Sequence, residues 1–160
     1  MSTITTFLTY AEGAEEAAKL YVSIFNNSKI TRVTHYPDVP VAPTPGGVMT
    51  VEFELDGHKY IALNGGSYFS FSEGISLNVE CETQEEIDTY TKKLVAGGGE
   101  QGPCGWVKDR FGVSWQINPR ILSQHLSDPD AAKTKRVMEA MLKMHKIDIA
   151  ALEAAAQSAC

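Results

Sequence analysis

Along the chain, apolar and polar positions alternate in recognisable registers. From Val48 to Leu55, the residues Met49, Val51, Phe53 and Leu55 alternate with Thr50, Glu52 and Glu54, the period-two pattern of a strand buried on one face. Asp56-Gly57 then predicts a hairpin turn into a return strand over Tyr60 to Leu63. Upstream, the β-branched and aromatic run Ile4 to Tyr10 predicts a strand. It gives way to Ala14, Ala17, Ala18, Tyr21, Val22 and Phe25, spaced three and four apart, so a helix with one inward face follows and ends at Asn26-Asn27-Ser28. Lys29 to Tyr36 predicts another strand. Pro37 to Gly47 holds four of the seven prolines and predicts a loop, because proline cannot donate to a sheet ladder.

The same order then begins again. Ile75, Leu77, Val79 and Cys81 alternate with Ser76, Asn78 and Glu80, which predicts a strand over Ile75 to Cys81. Thr83-Gln-Glu-Glu86 is a capping signal for a helix through Leu94, and Gly97-Gly98-Gly99 stops it. Short strands are predicted around Trp106 and over Val113 to Ile117. An offset of about 69 residues places Glu16 on Glu85, Tyr21 on Tyr90 and Phe25 on Leu94, so an internal duplication is expected. Beyond residue 120 the character changes: Ser127-Asp128-Pro129-Asp130 predicts a helix start with proline in its first turn, and Asp148 a second start. Between them Val137, Met138, Met141, Leu142 and Met144 form an apolar stripe, expected to pack on the domain or on a dimer partner. These readings give one domain, with a first module at 1–66, a second at 67–119 and a helical extension at 120–160.

Composition narrows the function classes. At 160 residues and 43% hydrophobic content, the chain is expected to be a folded globular domain. Its formal charge of −6 repels phosphate backbones, so nucleic acid is not an expected partner. No apolar run approaches the ~20 residues of a membrane helix, and no leader-like segment opens the chain, which points to the cytoplasm. Cys81, Cys104 and Cys160 are odd in number and form no Cys-x-x-Cys pair, as suits reduced thiols.

Several stretches resemble a known family. Leu63-Asn64-Gly65-Gly66, Phe69-Ser70-Phe71-Ser72-Glu73 and Gly105 to Ile117, with Met138-Glu139-Ala140-Met141 and Lys146-Ile147-Asp148, are similar to the PhnB-like branch of the glyoxalase, bleomycin-resistance and extradiol-dioxygenase (vicinal oxygen chelate) superfamily. The resemblance implies an α+β fold of two βαβββ modules, a cup-shaped sheet assembly and a homodimer. It also implies a divalent metal held by four side chains in the wider superfamily. Those positions match Thr6, Asn64 or Ala62, Gly74 or Ser76, and Gln116, none of which is a histidine or a carboxylate. Since nitrogen and anionic oxygen donors hold zinc and transition metals, no cofactor is expected; a divalent metal, for instance on His35 with Glu52 or Glu54, is the alternative. The resemblance also brings the description ubiquinone methyltransferase. An adenosyl-cofactor enzyme would need a glycine-rich turn between strand and helix, whereas Gly97-Gly98-Gly99 follows a helix.

Alternation assigns the lining of the site. Thr50, Glu52, Glu54, Asn64, Ser76, Asn78, Glu80, Ser114, Gln116 and Asn118 are expected on the face opposite the helices. The expected ligand-binding residues are Thr6, Glu52, Asn64, Phe71, Ser76, Trp106 and Gln116, with Glu52 the one candidate for general-base chemistry. Asp109 is expected to hold its hairpin through a pair with Arg110, and Cys104 and Cys81 to be structural thiols. The expected function is metal-independent binding of a small molecule; the alternative is an isomerase, lyase or dioxygenase of the same superfamily.

Overall fold

The computed structural model describes residues 1–157, so the predicted thiol at Cys160 lies outside the described residues. The chain divides into two compact units, one of residues 1–71 and a second beginning at Ser72. Among the described residues no helix is long and apolar enough to cross a membrane.

The first unit runs β1 (Thr6–Tyr10), α1 (Ala14–Ile24), β2 (Lys29–His35), β3 (Val48–Leu55) and β4 (His58–Asn64). Its sheet has the order β1-β4-β3-β2, with β1 parallel to β4 and the other pairs antiparallel. The predicted alternation holds in β3, whose Val51, Phe53 and Leu55 are buried. α1 lays Ala14, Ala17, Ala18, Tyr21 and Ile24 on that face; the three alanines let the helix come close, and the Tyr21 hydroxyl meets that of Tyr10 at 3.2 Å. Each large side chain buried there contributes about 1.5–3 kcal/mol. Asp56 (φ +48°) and Gly57 (φ +78°) both take the left-handed conformation, which a two-residue hairpin turn of matching twist requires.

The second unit repeats the plan with β5 (Leu77–Cys81), α2 (Gln84–Val95), β6 (Glu100–Gln101), β7 (Trp106–Lys108) and β8 (Ser114–Pro119), in the order β5-β8-β7-β6. β5 is again parallel to β8. The duplicated order of elements is therefore real. The Thr83 hydroxyl accepts from Glu86 N at 3.2 Å and the Glu86 carboxylate from Glu82 N at 2.9 Å, so the predicted helix start forms as a reciprocal cap. One expectation fails at the start of β5. Ile75 is 77% exposed, because the Ser72 side chain and carbonyl take up the amides of Gly74 and Ile75 in a turn that delays the strand.

Three helices follow: α3 (Arg120–Leu126), α4 (Ala131–Met141) and α5 (Ile149–Gln157). The sequence reading missed α3. α4 starts one step later than predicted: Asp130 is its cap, accepting from Ala132 N and Lys133 N, and Pro129 precedes the cap instead of lying in the first turn. Asp148 starts α5 as expected, accepting from Ala151 N at 3.1 Å. The apolar stripe is divided, with Val137 buried and Leu142 61% exposed. Gln84 ties the chain before α5 to α2, donating to Ile147 O at 2.9 Å and accepting from Ile149 N at 2.8 Å. The amides of Cys104 and Gly105 bond the carbonyls of Met144 and His145 at 2.8 and 2.7 Å. The C-terminal helices are thereby fixed to the second sheet.

Candidate functional site

Strand register decides which side chains share a face. In the second unit Asn78 is paired with Gln116, Glu80 with Asn118, Trp106 with Gln116 and Lys108 with Ser114, and all of these lie opposite half-buried Val79 and the buried Cys81, Val107, Trp115 and Ile117 that α2 covers. The face turned away from α2 therefore carries three amides side by side. Gln116 Nε2 donates to Ser76 Oγ at 2.9 Å, and Asn118 Nδ2 donates to Asn78 Oδ1 at 3.0 Å. Asn118 Oδ1 is buried without a hydrogen-bond partner. A Cβ on Gly105 would stand 2.7 Å from that oxygen, so a glycine is required where the turn lies against it.

These amides form one wall of a pocket of about 350 Å³, together with Glu80, Trp106 and Cys104 from the sheet side and Leu122, Ser123, Leu126 and Met141 from the helices. Beyond Trp106 a second hollow of about 370 Å³ is bordered by Glu73, Glu100, Lys108 and Ser114. The carboxylates here outnumber the cations that hold them. Arg120 reaches both Glu80 and Glu82 at 2.8 Å, and Lys108 bonds Glu73 at 2.5 Å, which holds the Glu73 carboxyl below its usual range. What the main pocket leaves open is neutral hydrogen-bonding capacity beside an indole. Amides and hydroxyls can orient a polar ligand but do not abstract a proton at neutral pH.

Of the residues expected to bind ligand, Ser76, Trp106 and Gln116 are brought together in this unit. Thr6, Glu52, Asn64 and Phe71 belong to the first. There the register corrects the face assigned to Asn64 and places Thr6, matched through the resemblance, on the same side. Leu63 and Ile61, not Asn64, share the face of Thr50 and Glu52. Asn64 lies on the helix side, where its Oδ1 accepts from Ala14 N at 2.9 Å and its Nδ2 donates to Val48 O at 3.0 Å. Gly13 at the N-cap has no side chain to satisfy α1, so Asn64 does so from the neighbouring strand. Thr6 is paired with Tyr60, whose ring stacks on buried Phe53 at 5.5 Å, so it too shares the helix side, and Phe7 and Thr9 take the opposite face. Glu52 is on the helix-free face as expected, paired with Arg32 at 2.5 Å. Phe71 sets its ring edge-on to Tyr10 at 4.9 Å.

Asp109 is structural, as expected, through different partners: the buried carboxylate accepts from Phe111 N at 2.9 Å, Val113 N at 3.1 Å and Trp115 Nε1 at 2.9 Å. Arg110 lies over the Phe111 ring at 4.7 Å. Burial pushes the Cys81 thiol up to about 12, in keeping with a structural residue. Cys104 is half-buried with φ +56° and faces the pocket. The residues that sequence reasoning missed are Leu122, Leu126 and their neighbours on α3; the available signal was Pro119 followed by Leu122 and Leu126 at helical spacing.

The donor set does not fit the metal that the superfamily implies. Ser76 and Gln116 offer neutral oxygens, and among the described residues no three of His, Cys, Asp and Glu gather as ligands would. His35 sits opposite Val48, whereas Glu52 and Glu54 sit opposite Arg32 and Lys29, so the alternative grouping does not converge.

Residues 2–118 match a family described as 3-demethylubiquinone-9 3-methyltransferase. The matched span ends before Met138–Met141 and Lys146–Asp148. A PhnB protein of Bacillus cereus described as a 3-demethylubiquinone-9 3-methyltransferase is 35% identical, with 74% of this chain and 99% of that one covered and a TM-score of 0.64. A Bacillus cereus protein described as a possible glyoxalase (14% identity, 73% and 97% covered, TM-score 0.50) shares the fold. So does a fosfomycin resistance protein, FosX, of Listeria monocytogenes (16%, 74% and 93%, 0.50). No curated protein matches in sequence.

Proposed function

Starting from the fact that the chain belongs to the 3-demethylubiquinone-9 3-methyltransferase family, the PhnB-like branch of the glyoxalase and bleomycin-resistance superfamily, we propose that it is a metal-independent small-molecule binding protein. Its ligand is a neutral polar molecule held on the face of the second sheet turned away from α2. One observation carries this reading: Gln116, Asn118 and Asn78, braced by Ser76, present unspent hydrogen-bonding capacity to a pocket walled by Trp106. Each amide has two N–H donors and an oxygen with two lone pairs, more than the mutual bonds consume. An aromatic wall with a few fixed polar groups is the usual composition of a ligand pocket. Methyl transfer is not part of the reading, because Gly97 to Gly99 end α2 instead of opening a helix after a strand. Nor is Glu52 assigned a base role, since its carboxylate is engaged by Arg32.

The reading carries a homodimer, as the family resemblance implies, and a cytoplasmic location. Sedimentation reporting a monomer at micromolar concentration overturns the first. The site is tested by a thermal-shift screen of neutral polar metabolites against wild type and Gln116→Ala. A binder at a hundredfold its Kd stabilises the wild type by about 2.7 kcal/mol. The expected result is a shift that Gln116→Ala loses; equal shifts in both proteins contradict the assignment.

A further inference from the structure

The pocket is not made by the family fold alone. Its polar wall belongs to β5 and β8, which lie within the span matched to the family, whereas Leu122, Leu126 and Met141 come from α3 and α4, which lie beyond it. The two walls differ in kind. The sheet offers Asn78, Gln116 and Asn118; the helices offer three aliphatic or thioether side chains and the Ser123 hydroxyl, whose proton is given to Arg120 O at 2.9 Å. Leu122 is buried, and Leu126 and Met141 are only partly covered by the protein itself, so apolar surface remains open to the pocket.

This wall is held in place. Cys104 and Gly105 bond the chain just beyond α4 through its carbonyls at Met144 and His145, Ile147 Cγ1 lies 3.0 Å from where a Cβ on Gly105 would stand, and Gln84 grips the peptides on either side of Asp148. On the far side of α3, His125 lies 3.5 Å from Glu153 of α5. A wall fixed at both ends offers a ligand preformed apolar surface and no cost of ordering.

We infer that the C-terminal helices convert a polar family site into one for a small amphiphile, an uncharged molecule with an amide- or hydroxyl-bearing head read by Gln116, Asn118 and Asn78 and a short hydrocarbon tail lying along Leu122, Leu126 and Met141. This rests on the proposed binding function and adds the ligand's second half. An uncharged head follows because Glu80, the charged side chain in the lining, is already held by Arg120, which it shares with Glu82, so no cation faces an anionic head and the rest of the polar wall is amide. A tail follows because the helix wall provides no amide and no cation.

The test uses n-alkanamides from propanamide to hexanamide as probes of the full-length protein. Binding is read from the side-chain NH2 resonances of Gln116 and Asn118, assigned with the Gln116→Ala and Asn118→Ala variants. Transfer of one methylene from water to an apolar wall predicts an affinity gain of about fourfold per added carbon until the cavity is filled. Leu126→Asn and, separately, Met141→Gln should flatten that gain to below about twofold. Two half-buried positions are used so that a folding defect in one variant does not decide the matter. Resonance shifts of equal size and affinity along the series overturn the tail and leave the polar site standing, and so does a length dependence that both variants retain. No shift at Gln116 or Asn118 with any probe overturns the polar site and this inference with it.

Discussion

On the helix-free face of the first sheet, Glu52 and Glu54 stand opposite Arg32 and Lys29, and Ile61 and Leu63 run beside β1; on the face of the second turned away from α2, Asn78, Gln116 and Asn118 stand together beside Trp106. The two sheets share an order of strands and a sense of pairing, so topology does not explain the difference. Side-chain chemistry does. Charges paired across strands satisfy one another, and at a surface each such pair contributes only about 0–1 kcal/mol. Neighbouring amides bond to one another and still retain donors and acceptors. A duplicated fold can thus hold one face that is spent on itself and one that is available to a ligand.

The comparison is broken most severely at the hairpins. The first unit turns on the left-handed geometry of Asp56-Gly57, with the exposed Ser28 hydroxyl accepting from Asp56 N at 3.4 Å, whereas the β7–β8 turn is organised by the Asp109 carboxylate and its three donors. Asp109→Ala strands those donors in the interior and should cost about 3 kcal/mol or more in chemical denaturation. Asp56→Ala should cost about 1–2 kcal/mol, the strain of a left-handed alanine. Equal losses would mean that Asp109 does not organise its turn.

Next in size are two amides that alternation placed on one surface. Asn64→Ala removes the acceptor for the first turn of α1 and should lower stability by about 1–2 kcal/mol while leaving any ligand-induced thermal shift unchanged. Gln116→Ala should change stability by under about 0.5 kcal/mol and abolish the ligand-induced shift. A reversal of these two outcomes would move the site to the first sheet.

The cysteines sharpen the contrast between core and pocket. In a Cys160→Ser background, Cys104 should react with a disulfide reagent in the native protein at pH 8, and Cys81 only after unfolding. Because the folded Cys81 thiol titrates near 12 against an ordinary value of 9, the unfolded state loses its proton first as pH rises. Stability should therefore fall progressively between about pH 9 and 12, and Cys81→Ala should lessen that fall. Glu52→Gln should alter stability by under about 1 kcal/mol and, unlike Gln116→Ala, leave ligand binding unaltered.

Much of the fold was legible because its signals are local. The alternation of Val48 to Leu55, the Asp56-Gly57 turn and the Thr83 cap each predict an element that the structure contains. The site was legible where the strand phase was secure: Gln116, Ser76 and Trp106 fall on one face because Trp115 and Ile117 are unmistakably interior. It was not legible at Thr6 and Asn64, since a one-residue uncertainty in register moves a side chain to the opposite face. Nothing near Asn64 indicates that it will serve a helix that begins fifty residues earlier; that bond exists only through the parallel pairing of β1 with β4. α3 escaped because a seven-residue helix has little room to show a period, and with it went the apolar wall of the pocket.

Metal content tests most directly whether neutral amides have replaced a chelating site. Protein purified without added metal and then dialysed against equimolar zinc, manganese, nickel and iron(II) should retain well under one equivalent of each by elemental analysis, with Gln116→Ala indistinguishable from wild type. One firmly held equivalent, lost on Gln116→Ala, would contradict the account.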